Sequence, residues 1–272
     1  MRLPSEERRQ SILDLLAARE TLSVSEMSRV LKVSEVTVRS DLEALEESGK
    51  VIRYRGGARL LENRQKQEFN FQTRRLLNLE KKHAIGKAAA DLVESNDCIL
   101  LDASTTALAM AQCLRMNETL SDVTVMPIGI WTAIELMGCN NFNVLLPGGY
   151  LRHTSGSITG LPAQDFFNDL IIRKAFLGAW GVSSELGFTD SHLLEVELKK
   201  SIIGRAKEII VLADGSKFRQ TGLASYASME QVTRLITDES APGEEVERIR
   251  EMGVEVVQVE ARGERREMIN DE

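Results

Sequence analysis

Between residues 83 and 258 the chain alternates short unbroken apolar runs with stretches of helical periodicity, and this pattern restricts the fold more than any other feature. The runs lie at 98–101, 123–126, 143–146, 175–180, 208–213, 233–237 and 254–258. A strand buried on both faces shows no polar alternation. Runs of this kind separated by helices therefore predict an α/β domain around a mainly parallel sheet. In open sheets of that class ligands collect at the carboxyl ends of the strands, where loops and helix N-termini converge.

Several strand ends carry suitable chemistry. The first run ends in Asp102-Ala103-Ser104-Thr105-Thr106 at the start of a helix. Hydroxyls and open amides there form a seat for a phosphate, or serve as plain N-caps. Gly148, Gly149 and Arg152 follow the third run, Gly178 and Gly181 flank the end of the fourth, and Lys217 follows the fifth. Glycines admit a ligand close to the backbone, and Arg152 and Lys217 offer charge to an anion. Glu195 and Lys199 fall four residues apart on a helix, the spacing of a surface ion pair.

The first sixty residues have a different grammar. Ser5-Glu6-Glu7 precedes a helical stripe of Ile12, Leu13, Leu15 and Leu16, Ser23 and Glu26 fit a capping box, and Ser34 opens a third helix stopping at Gly49. Helix, tight turn, helix is the expected order. On the third helix Val38, Leu42 and Leu45 should face the core, which turns Val36, Thr37, Ser40 and Glu43 outward with Arg39 beside them. Ser34, Glu35, Val36, Thr37, Arg39 and Ser40 are thus placed to meet base edges and phosphates in a major groove. The segment after Gly49 alternates apolar and basic residues before Gly56-Gly57 and reads as a β-wing, in which Arg53, Tyr54 and Arg55 with the two glycines would follow the sugar-phosphate backbone. Small three-helix units with a hairpin also serve as protein-interaction modules, and the pattern alone leaves that alternative open.

The stretch 34–58, SEVTVRSDLEALEESGKVIRYRGGA, resembles the signature of the DeoR family of bacterial transcriptional regulators. Thr37, Val38, Arg39, Asp41 and Leu42 match its helix and Gly56, Gly57 and Ala58 its wing, while Ser40 stands where many members carry a second basic residue. The region 83–238 is similar to the sensor domain of the same family, whose fold is related to ribose-5-phosphate isomerase and coenzyme A transferases. The resemblance implies that Asp102, Ser104, Thr105, Thr106, Gly149, Arg152, Gly178, Glu195, Lys199 and Lys217 hold a sugar phosphate. Two departures stand out: the first loop lacks the glycine of the usual Asp-Ala-Gly-Ser-Thr-Thr, and Met126-Pro127-Ile128 replaces a common Thr-Asn pair.

These readings give four regions: a winged helix-turn-helix at 1–60, a polar connection at 61–82 expected to be helical in its later part, an effector-binding α/β domain at 83–260 and a charged, aperiodic tail at 261–272 expected to be disordered. Net charge is -7, yet residues 1–60 hold 11 Lys and Arg against 10 Asp and Glu, with Lys50, Arg53, Arg55 and Arg59 in a stretch free of acids. A local basic strip binds phosphates even on an acidic protein. Three cysteines without a CxxC pair argue against a disulfide framework or structural zinc, so buried free thiols and no metal or cofactor are expected. No apolar leader and no 18-residue apolar run is present, which predicts a cytoplasmic protein without a membrane span. The expected partners are double-stranded operator DNA, a phosphorylated sugar effector and further copies of the chain in a dimer or tetramer. The function implied is a sugar-responsive repressor and not an enzyme. Two alternatives remain: a sugar-phosphate isomerase using Asp102, Glu195 and Lys217, and a constitutive DNA-binding protein whose second domain is blind to ligand.

Overall fold

The computed structural model describes residues 4–19, 21–48, 50–60 and 71–261. The chain forms two compact units, divided at the bond between Leu77 and Asn78.

In the first unit α1 (Ser5–Ala18), α2 (Val24–Leu31) and α3 (Glu35–Glu47) surround a core of Ile12, Leu15, Leu16, Met27, Val38, Leu42 and Leu45. The Ser23 capping box is made: the Glu26 amide donates to Ser23 Oγ, and the Ser23 amide donates to Glu26 Oε2. Lys32, in the left-handed region at φ 54°, ends α2, and Ser34 caps α3 two residues later. Ser5, in contrast, is the first residue inside α1; Pro4 occupies the cap position. The hairpin comprises β2 (Val51–Tyr54) and β3 (Gly57–Leu60), and a two-residue strand, β1 (Leu22–Ser23), adds to the outer edge of β3. Two residues carry no periodicity, so β1 left no trace in the sequence pattern.

Within the connection expected at 61–82, the described residues 71–76 and 79–82 are helical. In α4 (Phe71–Leu76) Phe71 is buried and Thr73 Oγ1 donates to Asp14 Oδ2 at 3.0 Å, so 71–77 belong to the first unit. Residues 78–82 begin the second. Residues 61–70, and 262–272 of the expected tail, lie outside the described residues.

The second unit comprises α5 (Leu79–Ala90), β4 (Cys98–Leu101), α6 (Thr105–Arg115), β5 (Val123–Pro127), α7 (Ile130–Leu136), β6 (Phe142–Val144), β7 (Tyr150–Leu151), β8 (Ile158–Thr159), α8 (Leu161–Phe166), β9 (Ile172–Gly178), β10 (Gly181–Ser183), β11 (Gly187–Asp190), α9 (Leu193–Ile203), β12 (Ala206–Leu212), β13 (Ala224–Ala227), β14 (Arg234–Asp238), α10 (Gly243–Glu251) and β15 (Glu255–Val259). Seven strands form one sheet in the order β15-β14-β12-β9-β4-β5-β6, parallel at every pairing. Each expected apolar run is one of these strands. Successive residues pack on opposite faces: Ile99 and Leu101 meet Ile85, Ala89 and Met110 of α5 and α6, while Leu100 shares the other core with Val196, Ile202 and Ile249 of α9 and α10. Three layers result.

Strand order runs outward from β4 to β6, then restarts at β9 on the other side of β4 and runs outward to β15. The chain therefore leaves adjacent strands β4 and β9 in diverging directions, which opens a crevice at their carboxyl ends. The hairpin β7-β8 and the antiparallel sheet β10-β11-β13 were not anticipated, because strands of two to four residues carry too little pattern. Cys98, Cys113 and Cys139 are half-buried free thiols.

Candidate functional site

On α3 the residues expected to face outward largely do. Val36 is 72% exposed and Arg39, Ser40 and Glu43 are exposed, with Thr37 half-buried. Ser34 Oγ accepts from the Thr37 amide, and Arg39 Nη2 donates to Glu35 Oε2 at 2.8 Å. Such an exposed pair is worth well under about 1 kcal/mol, so Arg39 can exchange it for a phosphate or a base at little cost. Asp41 is different: it is buried, and it accepts from Arg8 Nε (2.5 Å), Arg8 Nη2 (3.1 Å) and Arg9 Nε (3.1 Å). Two cations on α1 thus fix the pose of α3, and the sequence pattern alone did not reveal that role.

The wing turns at Arg55-Gly56, with Gly56 at φ 95°, while Gly57 pairs with Tyr54 inside the ladder. That corrects the expected Gly56-Gly57 turn. Gly57 is required by space: a Cβ there would lie 2.4 Å from the Leu22 carbonyl oxygen and 2.6 Å from the Tyr54 hydroxyl. Tyr54 folds over the glycine and donates to Leu22 O, and the Arg53 amide donates to Glu46 Oε1. Arg55 is exposed at the tip.

In the second unit the carboxyl ends of β4 and β9 are tied together. Asp102 Oδ2 accepts from the Gly178 amide at 2.7 Å. Lys199, on α9, donates to the Gly178 carbonyl (2.8 Å) and to Asp190 Oδ2 (2.6 Å), and its Nζ lies 3.1 Å from Asp102 Oδ2. Tyr226 donates to the same carbonyl at 3.0 Å, its ring 4.8 Å below the ammonium. All four side chains are buried. Burial alone would lower Lys199, but the carboxylates of Asp102 and Asp190 outweigh it and hold the ammonium well above its ordinary value. Burial also pushes the Tyr226 phenol up, so it stays a donor. Ser104 caps α6 through the Ala107 amide, and its Cβ and Oγ would stand 2.4 and 2.6 Å from any Cβ placed on Gly178.

A second polar cluster lies alongside. Arg152 donates to Glu195 Oε1, which also accepts from Ser155 Oγ (2.8 Å) and Ser157 Oγ (2.6 Å). The charge of Glu195 reaches both Asp102 and Lys199. Glu195 and Lys199 do not form the surface pair their spacing permits; each turns inward to other partners. Lys217 sits on a 3-10 turn after β12, its ammonium 5.3 Å from the Trp180 ring centre, and the end of that turn packs on Gly181, where a Cβ would lie 2.1 Å from the Gln220 carbonyl oxygen.

Asp102, Ser104, Gly178 and Lys199 are therefore brought together, with Arg152–Glu195 beside them and Lys217–Trp180 forming a third element. Thr105 and Thr106 are buried in the first turn of α6. Gly148 is exposed, and Gly149 packs on Thr159 and Ala163. Sequence reasoning missed Asp190, Tyr226, Ser155 and Ser157. Asp190 had one available signal, an acid closing a short apolar segment; the others had none. Among the described residues no cluster of His, Cys, Asp and Glu could hold a metal ion, and no helix is long and apolar enough to cross a membrane.

Comparison with known proteins assigns both units. Residues 8–64 match the model of the DeoR-like helix-turn-helix domain, and residues 77–239 that of the DeoR C terminal sensor domain. The chain is 39% identical over 232 residues to the HTH-type transcriptional regulator GolR of Listeria innocua, covering 85% of this chain and 90% of the relative. It is 33% identical over 233 residues to the lactose phosphotransferase system repressor of Streptococcus mutans, covering 86% and 92%. Among solved structures it is similar to ribose 5-phosphate isomerase A from Methanocaldococcus jannaschii, with 20% identity, TM-score 0.39, and coverage of 52% of this chain and 54% of that one.

Proposed function

The chain belongs to the DeoR family of transcriptional regulators, and from that premise we propose that it represses a sugar-metabolism operon until a phosphorylated sugar binds the second unit. The first unit is the operator-binding part, with the exposed start of α3 for the major groove and the wing tip for the backbone. The chain acts as a dimer or tetramer on repeated half-sites.

One observation carries the effector assignment: the ends of β4 and β9, adjacent strands whose exits diverge, carry a rigid buried knot with partly open polar groups at its rim. Lys199 is enclosed by Asp102, Asp190 and the Gly178 carbonyl, so its part is to fix the strand ends. Ser104 offers a hydroxyl, the first turn of α6 its dipole, and Lys217 beside Trp180 a cation and an aromatic face. That set suits a sugar ring bearing one phosphate. The relative named for a lactose phosphotransferase system supports the sugar class.

Thermal unfolding with glucose 6-phosphate, fructose 6-phosphate and ribose 5-phosphate, against the unphosphorylated sugars and inorganic phosphate, tests the assignment. A ligand at a hundred times its Kd stabilises by about 2.7 kcal/mol. Stabilisation by a sugar phosphate that is recovered unchanged supports a sensor. Consumption of the sugar phosphate would favour an isomerase, and stabilisation by none of them a ligand-blind second unit.

A further inference from the structure

Asn78 and Lys81 are poor choices for the helix that they begin. Asn78 is the N-cap residue of α5, where its side-chain oxygen would ordinarily accept from the exposed helix N–H groups, yet it makes no such cap and sits in the left-handed region at φ 52°. Lys81 places a cation in the first turn, against the helix dipole. Both are explained by what they reach. Asn78 Nδ2 donates to Asp214 Oδ1 at 3.1 Å, and Lys81 Nζ lies 3.1 Å from Asp238 Oδ2 and 2.5 Å from Ser240 Oγ. Asp214 and Asp238 close the ends of β12 and β14, on the side of the sheet where the effector site lies.

The same carboxylates hold the turn that carries Lys217. Asp214 Oδ1 accepts from the Ser216 amide (3.0 Å) and Ser216 Oγ (2.5 Å), Asp214 O accepts from the Lys217 amide (2.9 Å), and Asp238 Oδ1 accepts from the Gly215 amide (2.7 Å). Gly215 is packed solid: a Cβ there would lie 2.4 Å from Ser240 Oγ and 2.6 Å from the Ala241 nitrogen. The turn 215–217 cannot shift while all these bonds keep their lengths. Asn78 follows directly on Leu77, the last residue of the first unit.

We propose that Asn78 and Lys81 are positioning residues that couple the effector site to the DNA-binding unit, carrying a shift of the Lys217 turn to the Leu77–Asn78 junction through Asp214 and Asp238. This rests on the sugar-phosphate reading above. Binding that displaces the turn alters the two bonds at the start of α5, and those bonds favour one state of the junction over the other. Coupling of this kind needs the effector to bind the two states unequally, and a contiguous bonded path with both ends in the right place supplies a route.

The test uses the intact chain and two variants, Asn78→Gly, which keeps the left-handed backbone and deletes the amide, and Lys81→Met, which keeps the stem and deletes the charge. Operator affinity is measured by anisotropy with and without glucose 6-phosphate, fructose 6-phosphate and ribose 5-phosphate, and the affinity for each by calorimetry. The expected result is probe affinity within about threefold of the parent while the probe-induced change in DNA affinity collapses from about tenfold or more towards one. Variants that keep the parental response overturn the coupling role, as do variants that lose probe binding and response together, because the two residues would then only build the site. If Lys81→Met fails to fold, Asn78→Gly decides. If the parent binds DNA but none of the three probes shifts it, the sugar-phosphate reading fails first and the coupling with it.

Discussion

Asp102 Oδ2 lies 2.7 Å from the Gly178 amide nitrogen, a single bond that ties two strand ends 76 residues apart in sequence at the point where the strand order reverses. The absence of a side chain at 178 permits it. A methyl there would meet Ser104 Cβ at 2.4 Å and Asp102 Oδ2 at 2.8 Å. Gly178→Ala should therefore lower stability by about 1–3 kcal/mol, the usual range for overpacking, and abolish stabilisation by the effector. A urea midpoint equal to that of the parent would contradict the packing described.

Lys199 should dominate the alkaline limit. Removing it as Lys199→Met leaves Asp102 and Asp190 facing one another in a buried space, a loss of about 3–5 kcal/mol at neutral pH. Because its pKa is raised in the folded state, its contribution is fully present below the ordinary value of 10.5 and disappears as pH rises through the higher folded value. The stability difference between parent and Lys199→Met, measured by urea unfolding, should be constant from pH 7 to 9 and shrink above 10.5. A difference that grows with pH would refute the arrangement.

Asp238 should act at the acid end. Burial alone would raise it, but hydrogen bonds from Ser240, from the Gly215 and Ser240 amides and from Lys81 hold its carboxyl below the usual value of 3.8. Its contribution is present above that value and lost as pH falls through the lower folded one. Asp238→Asn should flatten the acid limb of stability against pH below about 4, as measured by urea unfolding, while changing little in the slope near pH 7. An acid limb as steep as the parent's would exclude Asp238 as a source.

Two residues two positions apart on α3 should separate stability from recognition. Asp41→Ala removes the acceptor of Arg8 and Arg9 and should destabilise the first unit by about 1.5–3 kcal/mol, seen as an earlier calorimetric transition with DNA binding weakened alongside it. Arg39→Ala breaks only an exposed pair, so its melting should stay within about 0.5 kcal/mol of the parent while DNA binding weakens by about 1–3 kcal/mol. DNA affinity unchanged by Arg39→Ala would remove α3 from the interface.

The large features were legible because they rest on repetition. Seven apolar runs became seven parallel strands, and Ser23 with Glu26 and Ser34 marked helix starts that the backbone confirms. What stayed hidden depends on contacts between distant residues. Nothing near Asp41 announces two arginines from α1, and nothing near Lys199 announces Tyr226. Local reading even misled where tertiary partners won: the four-residue spacing of Glu195 and Lys199 suggested a surface pair, yet burial and other partners turned both inward. Asn78, within the connection between the units, was hidden in the same way as Asp41, since nothing near it in sequence announces Asp214.

Effector-controlled operator binding is measured by a fluorescence-anisotropy titration of the intact protein on DNA from upstream of its own coding region, at fixed salt, with and without glucose 6-phosphate, fructose 6-phosphate and ribose 5-phosphate. Salt is held constant because phosphate contacts make affinity fall steeply with ionic strength. The expected result is specific binding that at least one sugar phosphate weakens by about tenfold or more, with no effect of the unphosphorylated sugar. Tight binding that no sugar phosphate alters would contradict the sensor, and no binding to that DNA would contradict the assignment of this operator.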